Sequence, residues 1–264
     1  MKITAHALTV RGPHAPMLRP TSVAFAEHQL VLVADDPGAG HTALSLAVSG
    51  RLRPDGGEVR LDGRADEREL RRRVAVVDTP GITEPDDALP VRTVVGEDLS
   101  IAGRKAGRRA VDAWLDEHGA AEFADARFEH LPVDVRTRLL AELTAARPEV
   151  TGIVLTLPDR FGGDPKDWYD VGRGLAERGY AVLITCADTS AHVLGVTPAR
   201  FGELDQPAPI AVPATEQIAE PTEDEPAAAV PGDGEPAELD DVPGDTRRGG
   251  QDGANGANDE GDEQ

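Results

Sequence analysis

The stretch Gln29–Gly63, QLVLVADDPGAGHTALSLAVSGRLRPDGGEVRLDG, decides how this chain is read. Its opening apolar run, Leu30 to Ala34, predicts a buried strand. The glycine-bearing turn DDPGAGHTA follows, and Leu44, Leu46, Ala47 and Val48 then recur at helical spacing. Strand, glycine turn, helix is the geometry in which backbone N–H groups and a helix N-terminus face an anion. The full phosphate-loop pattern is G-x-x-x-x-G-K-[ST]. Here the frame runs Asp35-Asp36-Pro37-Gly38-Ala39-Gly40, followed by His41, Thr42 and Ala43. The second glycine and the hydroxyl stand, whereas an aspartate replaces the first glycine and a histidine the lysine. The shape is kept without its cation.

Working outward, the charge is uneven. The 264 residues carry a formal net charge of −21. From Asp205 onward there are 17 Asp+Glu against two Arg, so most of the excess lies in the last stretch. That segment is Pro, Ala, Glu, Asp and Gly without period; too little apolar surface can be buried there to offset chain entropy, which predicts a disordered acidic tail over 205–264. It is read as a solvated extension, with docking on a basic partner as the alternative. No basic patch interleaved with aromatics marks a nucleic-acid surface. The single cysteine, Cys186, precludes an intramolecular disulfide. No signal-like segment and no apolar run of about 20 residues appears, so the expectation is a cytoplasmic chain without direct membrane insertion.

Ile3 to Val10 and Ser22 to Phe25 read as edge strands leading into the central one. Glu58 to Leu61 reads as a short strand between the turn cluster Arg53-Pro54-Asp55-Gly56-Gly57 and Asp62-Gly63. Glu69 to Arg73 is a basic lead into the buried strand Val74–Val77, and 80–90 is a loop. Residues 93–146 turn helical, with the basic cluster Arg104–Arg109 between two helices and Pro148 ending a third. Gly152 to Leu157 and Tyr180 to Thr185 are further buried strands flanking a helix over Trp168 to Arg178. Alternating strands and helices predict an α/β, three-layer P-loop NTPase domain over 1–204 with a small helical insertion.

The order of these elements, with the wording of four junctions, resembles the ATP-binding subunit of ABC transporters. The carriers are Gly38-Ala39-Gly40-His41-Thr42, and Ser49-Gly50-Arg51-Leu52-Arg53-Pro54-Asp55-Gly56-Gly57-Glu58-Val59, similar to that family's G-x-x-x-P-x-x-G-x-V run. Arg147-Pro148-Glu149-Val150 precedes the strand Ile153-Val154-Leu155, and Leu175 to Thr185 is similar to the last helix and strand. The resemblance covers about residues 1–204.

The resemblance implies ATP with Mg²⁺ at 38–43, and each working position can be read onto this chain. The lysine falls on His41, which is largely neutral at pH 7, and the metal-ligating hydroxyl on Thr42. The glutamine after the Val74–Val77 strand falls on Asp78 or Thr79. The L-S-G-G-Q signature falls on Leu131-Pro132-Val133-Asp134-Val135; both glycines are gone, and Pro132 lacks a donor. The metal-binding aspartate and water-polarising glutamate fall on Thr156 and Leu157, and the last-strand histidine on Cys186. Only the Thr42 chemistry persists. Asp35 and Asp36 also stand at the loop mouth, where a carboxylate ~4 Å from phosphate costs about 4 kcal/mol at an effective dielectric of 20. The expectation is a non-hydrolytic relative that partners a membrane permease or a second ATP-binding subunit and binds ATP weakly or not at all.

Two other readings stand beside it. The first is an ABC ATPase that still binds and slowly hydrolyses ATP. The second is a GTP-binding switch, because Val74–Gly81, VAVVDTPG, places Asp78 where a Mg²⁺ ligand would lie. Against that switch, neither Gly152–Asp159 nor Tyr180–Asp188 contains an N-K-x-D run. His41 is read as a solvated side chain, with a phosphate contact that strengthens below about pH 6.5 as its alternative. Cys186, Trp114 and Trp168 are read as packing residues. The Arg104–Arg109 cluster is read as a solvated loop or an interaction surface.

Overall fold

The computed structural model describes residues 1–214; the acidic tail expected beyond them, 215–264, lies outside the described residues. In chain order the elements are β1 (Lys2–Val10), β2 (Leu18–Ala26), β3 (Gln29–Asp35), α1 (Ala39–Val48), β4 (Gly56–Leu61), α2 (Glu67–Arg73) and β5 (Val74–Val77). The helical insertion follows as α3 (Val91–Ile101), α4 (Arg108–Glu117) and α5 (Val133–Ala145). The chain then runs through β6 (Gly152–Thr156), α6 (Pro165–Glu177), β7 (Ala181–Ala187), α7 (Asp188–Leu194), β8 (Ala199–Arg200) and β9 (Ile210–Ala211).

The four apolar runs form the parallel core of one sheet, in the order β5-β6-β7-β3. Both faces are covered, so these strands are buried almost throughout. Successive residues point to opposite faces. Val182 and Ile184 of β7 pack with the helices α3 to α7, while Ala181 and Leu183 pack toward α1 and strands β1, β2 and β4. The first face carries Trp114, Trp168, Leu139 and Leu175. The second carries Ile3, Phe25, Leu44 and Val48.

Three expectations change. First, β1 and β2 are not edge strands of the central sheet: they join β4 in a separate antiparallel sheet, ordered β2-β1-β4. Their hydrogen-bonding partners are each other and β4, and the sheet closes the core over α1. Second, the basic lead before β5 is the helix α2. Asp66 caps it by accepting from the Glu69 N–H at 3.0 Å, with acids in its first turn and Arg71, Arg72 and Arg73 in its last. Third, the chain remains packed past Leu204. Gln206 clasps the backbone of Arg200, β9 pairs antiparallel with Gln29 and Leu30, and the Val212 N–H donates to His28 at 2.9 Å. Val212 is buried, so the packed domain extends beyond residue 204. Among the described residues no helix is long and apolar enough to cross a membrane.

Candidate functional site

The glycine turn lies at the C-terminal end of β3, which in an open parallel sheet is where ligands approach. Asp36, Pro37, Gly38 and Ala39 are exposed, and no side chain caps α1. Asp35 does not stand free at the mouth. Arg19 Nη2 donates to its Oδ2 at 2.8 Å and to the Phe201 carbonyl at 3.0 Å, while the Asp36 N–H donates to its Oδ1 at 2.8 Å. A cavity of about 360 Å³ opens between Pro16, Met17 and Arg19 on one side and Asp36, Gly38 and Ala39 on the other. Gly40 is held by packing, since a Cβ there would lie 3.0 Å from the Met17 carbonyl and 3.3 Å from the Phe201 ring. Thr42 is half-buried, and Ala43 packs into the core beneath the helix.

His41 is not a solvated side chain. It is 0% exposed, its Nε2 lies 3.1 Å from the Asp36 carbonyl, and its ring meets Phe201 edge-on at 4.9 Å between centroids. With that carbonyl as its partner, Nε2 carries the proton, which leaves the buried Nδ1 without a hydrogen-bond partner. Burial pushes the imidazole below its ordinary value, against the opposing pull of the Asp36 carbonyl and of Asp159 and Asp35. The ring is therefore a neutral wedge inside the loop, and the expected gain of a phosphate contact below about pH 6.5 does not fit this placement.

The other positions read as catalytic converge at the ends of β5 and β6. The Thr156 hydroxyl lies 3.0 Å from that of Thr79, and both side chains are buried. Leu157 turns through the left-handed region at φ 49° with its N–H donating to the Thr185 carbonyl. Asp78 also has positive φ, 50°, which an aspartate tolerates better than a branched residue. Its carboxylate is fully engaged. Arg136 Nε reaches Oδ2 and Nη2 reaches Oδ1, each at 3.0 Å, and Arg160 Nη2 lies 2.9 Å from Oδ1. Asp78 is therefore not available as the Mg²⁺ ligand that a GTP switch requires.

Two arginines at this floor were not singled out in the sequence. Arg136 also pairs with Asp87 at 2.9 Å, and Arg160 with Glu84 at 3.0 Å. Phe161 lies under both guanidinium groups, at 4.4 and 4.2 Å, and Phe128 under Arg136 at 4.8 Å. Burial alone would depress Arg136, but Asp78 and Asp87 raise it above its ordinary value. In the structure Arg136 is buried on α5 beside Val135 and Leu139. What the sequence hides is its partners, on segments 49 and 58 residues away.

The remaining positions carry no polar chemistry. Pro132 precedes α5 with no side-chain cap, and Val133 is half-buried. Cys186 is buried, and burial raises its thiol far above the usual range. Trp114 stacks on His118 and Trp168 is buried on α6, both as packing residues. Arg104, Lys105, Arg108 and Arg109 are exposed.

A nucleotide–Mg²⁺ pair would find backbone N–H groups at Gly38–Gly40 and the Thr42 hydroxyl. It would find no carboxylate at Thr156 or Leu157, and among the described residues no group of three or more His, Cys, Asp or Glu could hold a metal ion. The positions read as the metal and water carboxylates thus hold a hydroxyl at Thr156 and an apolar chain at Leu157.

No family model matches the chain. It is 31% identical over 204 residues to the hemin import ATP-binding protein HmuV of Pseudomonas entomophila (strain L48), covering 70% of this chain and 79% of that protein. It is 34% identical over 128 residues to the HmuV of Bradyrhizobium diazoefficiens, about half of each chain (47%). Among solved structures it shares its fold with a putative ABC transporter ATP-binding protein from Pyrococcus furiosus, at TM-score 0.53 and 18% identity over 71% of this chain and 92% of that one. A nucleotide-free ATP-binding cassette from an ABC transporter gives TM-score 0.56 and 14% identity over 79% and 91%. A sequence relative matched over most of its length, and cassettes that share the sheet and its helices, place this chain in the family of ABC-transporter ATP-binding subunits.

Proposed function

We propose that this chain is an ATP-binding-type subunit that serves a membrane permease, or pairs with an active ATP-binding subunit, without hydrolysing ATP itself. The observation that carries the reading is the Thr79–Thr156 hydroxyl pair, 3.0 Å apart and buried. It lies where the resemblance sets the metal carboxylate, and Leu157 follows where it sets the water-orienting one. Phosphoryl transfer relies on positioning and on charge stabilisation by lysine and Mg²⁺. His41 supplies neither the charge nor the reach of the lysine. Even ~3 kcal/mol for each missing group, the scale of a lost stabilising donor, removes many decades of rate. The relatives named for hemin import make a hemin permease the first partner to test.

The test joins calorimetric titration with Mg-ATP to a phosphate-release assay on the protein and on His41→Lys. Phosphate release by the unsubstituted protein above the buffer background would overturn the reading. A second reading, ATP binding without turnover, is favoured by the exposed residues Gly38 and Ala39 and the half-buried Thr42, with no side chain capping α1. Heat of binding without phosphate release selects it.

A further inference from the structure

We infer that Arg136 and Arg160, closing on Asp78, form an internal latch that holds the helical insertion against the parallel sheet in one position, with no nucleotide or metal needed to set it. The latch goes beyond absent turnover and rests on the proposed reading only in taking the floor at Thr156 and Leu157 as the nucleotide's.

Four segments meet in one ion-pair cluster around Asp78. Asp78 follows β5, Arg136 sits in the first turn of α5, Arg160 follows β6, and Glu84 and Asp87 come from the linker 80–90 that leads into α3. The central groups are largely shut off from water, with 5% of the Arg136 side chain, 9% of Asp78 and 16% of Arg160 accessible. In such surroundings an ion pair is strong and either charge left alone is costly. Two guanidinium groups face three carboxylates, with Phe161 beneath both, so each cation is paired and the single excess negative charge falls at the more accessible rim, where Asp87 and Glu84 lie. Arg160 Nη1 also lies 3.2 Å from the carbonyls of both Thr156 and Leu157. The chain thus puts its own cations over the floor where the resemblance seats a metal.

A ligand shifts an equilibrium between two positions only by its differential affinity for them. Here the contact between insertion and sheet is completed by side chains alone, so nucleotide has no bond to supply at the junction. The subunit is held permanently in one arrangement, and assembly with a partner proceeds without a nucleotide cycle.

Full-length protein carrying Arg60→Cys and Glu122→Cys, both exposed positions on β4 and beside α4, takes two spin labels, while the native Cys186 is buried. Double electron–electron resonance then reports the distance between the insertion and the antiparallel sheet, which packs on the other face of the parallel sheet and serves as its fixed reference. The expected result is one distribution, unmoved by millimolar Mg-ATP or Mg-ADP. Adding Asp78→Asn with Arg136→Met should broaden or shift it by roughly one helical turn, ~5 Å. A nucleotide-driven shift in the protein that retains Asp78 and Arg136, or a distribution that survives the double substitution, overturns the latch. Should that variant not fold, Glu84→Gln with Asp87→Asn, at the accessible rim, must broaden the distribution, and no change overturns the proposal. Phosphate release measured on the same samples separates the two readings. Turnover with a fixed distance removes the proposed function and leaves the latch, and a moving distance without turnover does the reverse.

Discussion

Arg136 holds Asp78 side-on, with Nε on Oδ2 and Nη2 on Oδ1, each at 3.0 Å, across 58 residues of sequence. Bidentate pairing of this kind fixes direction as well as distance. It places the first turn of α5 against the end of β5, and burial makes the pair intolerant of losing one member. Arg136→Met should therefore cost about 3–5 kcal/mol. The double variant with Asp78→Asn should lose clearly less than the sum of the two single variants. Urea denaturation of the four proteins measures the coupling, and strict additivity would show the pair to be incidental.

The Thr79–Thr156 pair makes a separate prediction, because its members are neutral. Either Thr→Val substitution leaves a buried hydroxyl without its partner and should cost about 1–3 kcal/mol. Thr79→Val with Thr156→Val should recover most of that loss. Phosphate release should stay at background in all three. Activity lost on Thr156→Val would assign the hydroxyl a catalytic role and sink the non-hydrolytic reading.

The sequence made the parallel strands plain and hid most of what lies at their ends. Leu30–Ala34, Val74–Val77, Gly152–Thr156 and Ala181–Cys186 are continuous apolar runs, which only a sheet covered on both faces requires. The separate antiparallel sheet was not legible, because alternation in β1 and β2 gives a face but not a partner. Helix α2 buries only Leu70, so it carries no apolar period. The glycines and Thr42 were readable as a loop, whereas the fate of His41 depends on Phe201, 160 residues on. Arginine in a helix reads as surface until its acidic partners arrive from elsewhere, and that is why the floor was missed.

His41 gives a prediction with a definite sign. Its folded pKa lies below the ordinary 6.5, so in the window beneath 6.5 the unfolded chain binds the proton more readily than the folded one. Stability is then fully present above about pH 6.5 and is lost as pH falls toward the folded value. Urea midpoints at pH 8, 7, 6 and 5 should decline more steeply for the unsubstituted protein than for His41→Gln. Parallel curves would show that the imidazole titrates as it does in solvent.

Glu84 tests the acid side of the same fold. The Gly81 N–H at 2.6 Å is the largest influence holding this carboxylate below its ordinary value of 4.5, and Arg160 adds to it. A depressed carboxylate contributes stability that is present above its unfolded pKa and lost as pH falls through the folded one. Glu84→Gln should therefore lower stability near neutrality without changing the slope there, and flatten the decline below about pH 4.5. An equal slope in both proteins would remove Glu84 from the ledger of acid-sensitive groups.

The edge of β3 carries the last prediction. Only Val33 and Ala34 pair with β8 and only Gln29 and Leu30 with β9, so two short pieces together cover a strand that would otherwise expose its hydrogen-bonding edge. Val212 follows β9, donates to the His28 carbonyl and is 4% exposed. An aspartate there would bury an unpaired charge, so Val212→Asp should cost about 2–3 kcal/mol. Ala211→Ser, exposed on β9 itself, should change stability by less than ~0.5 kcal/mol. Release of β9 would also leave Gln29 and Leu30 open for pairing with another chain. Light scattering during mild heating should accordingly rise earlier for Val212→Asp. If both variants melt and scatter like the unsubstituted protein, the segment after Leu204 contributes nothing to the domain and the boundary belongs at residue 204.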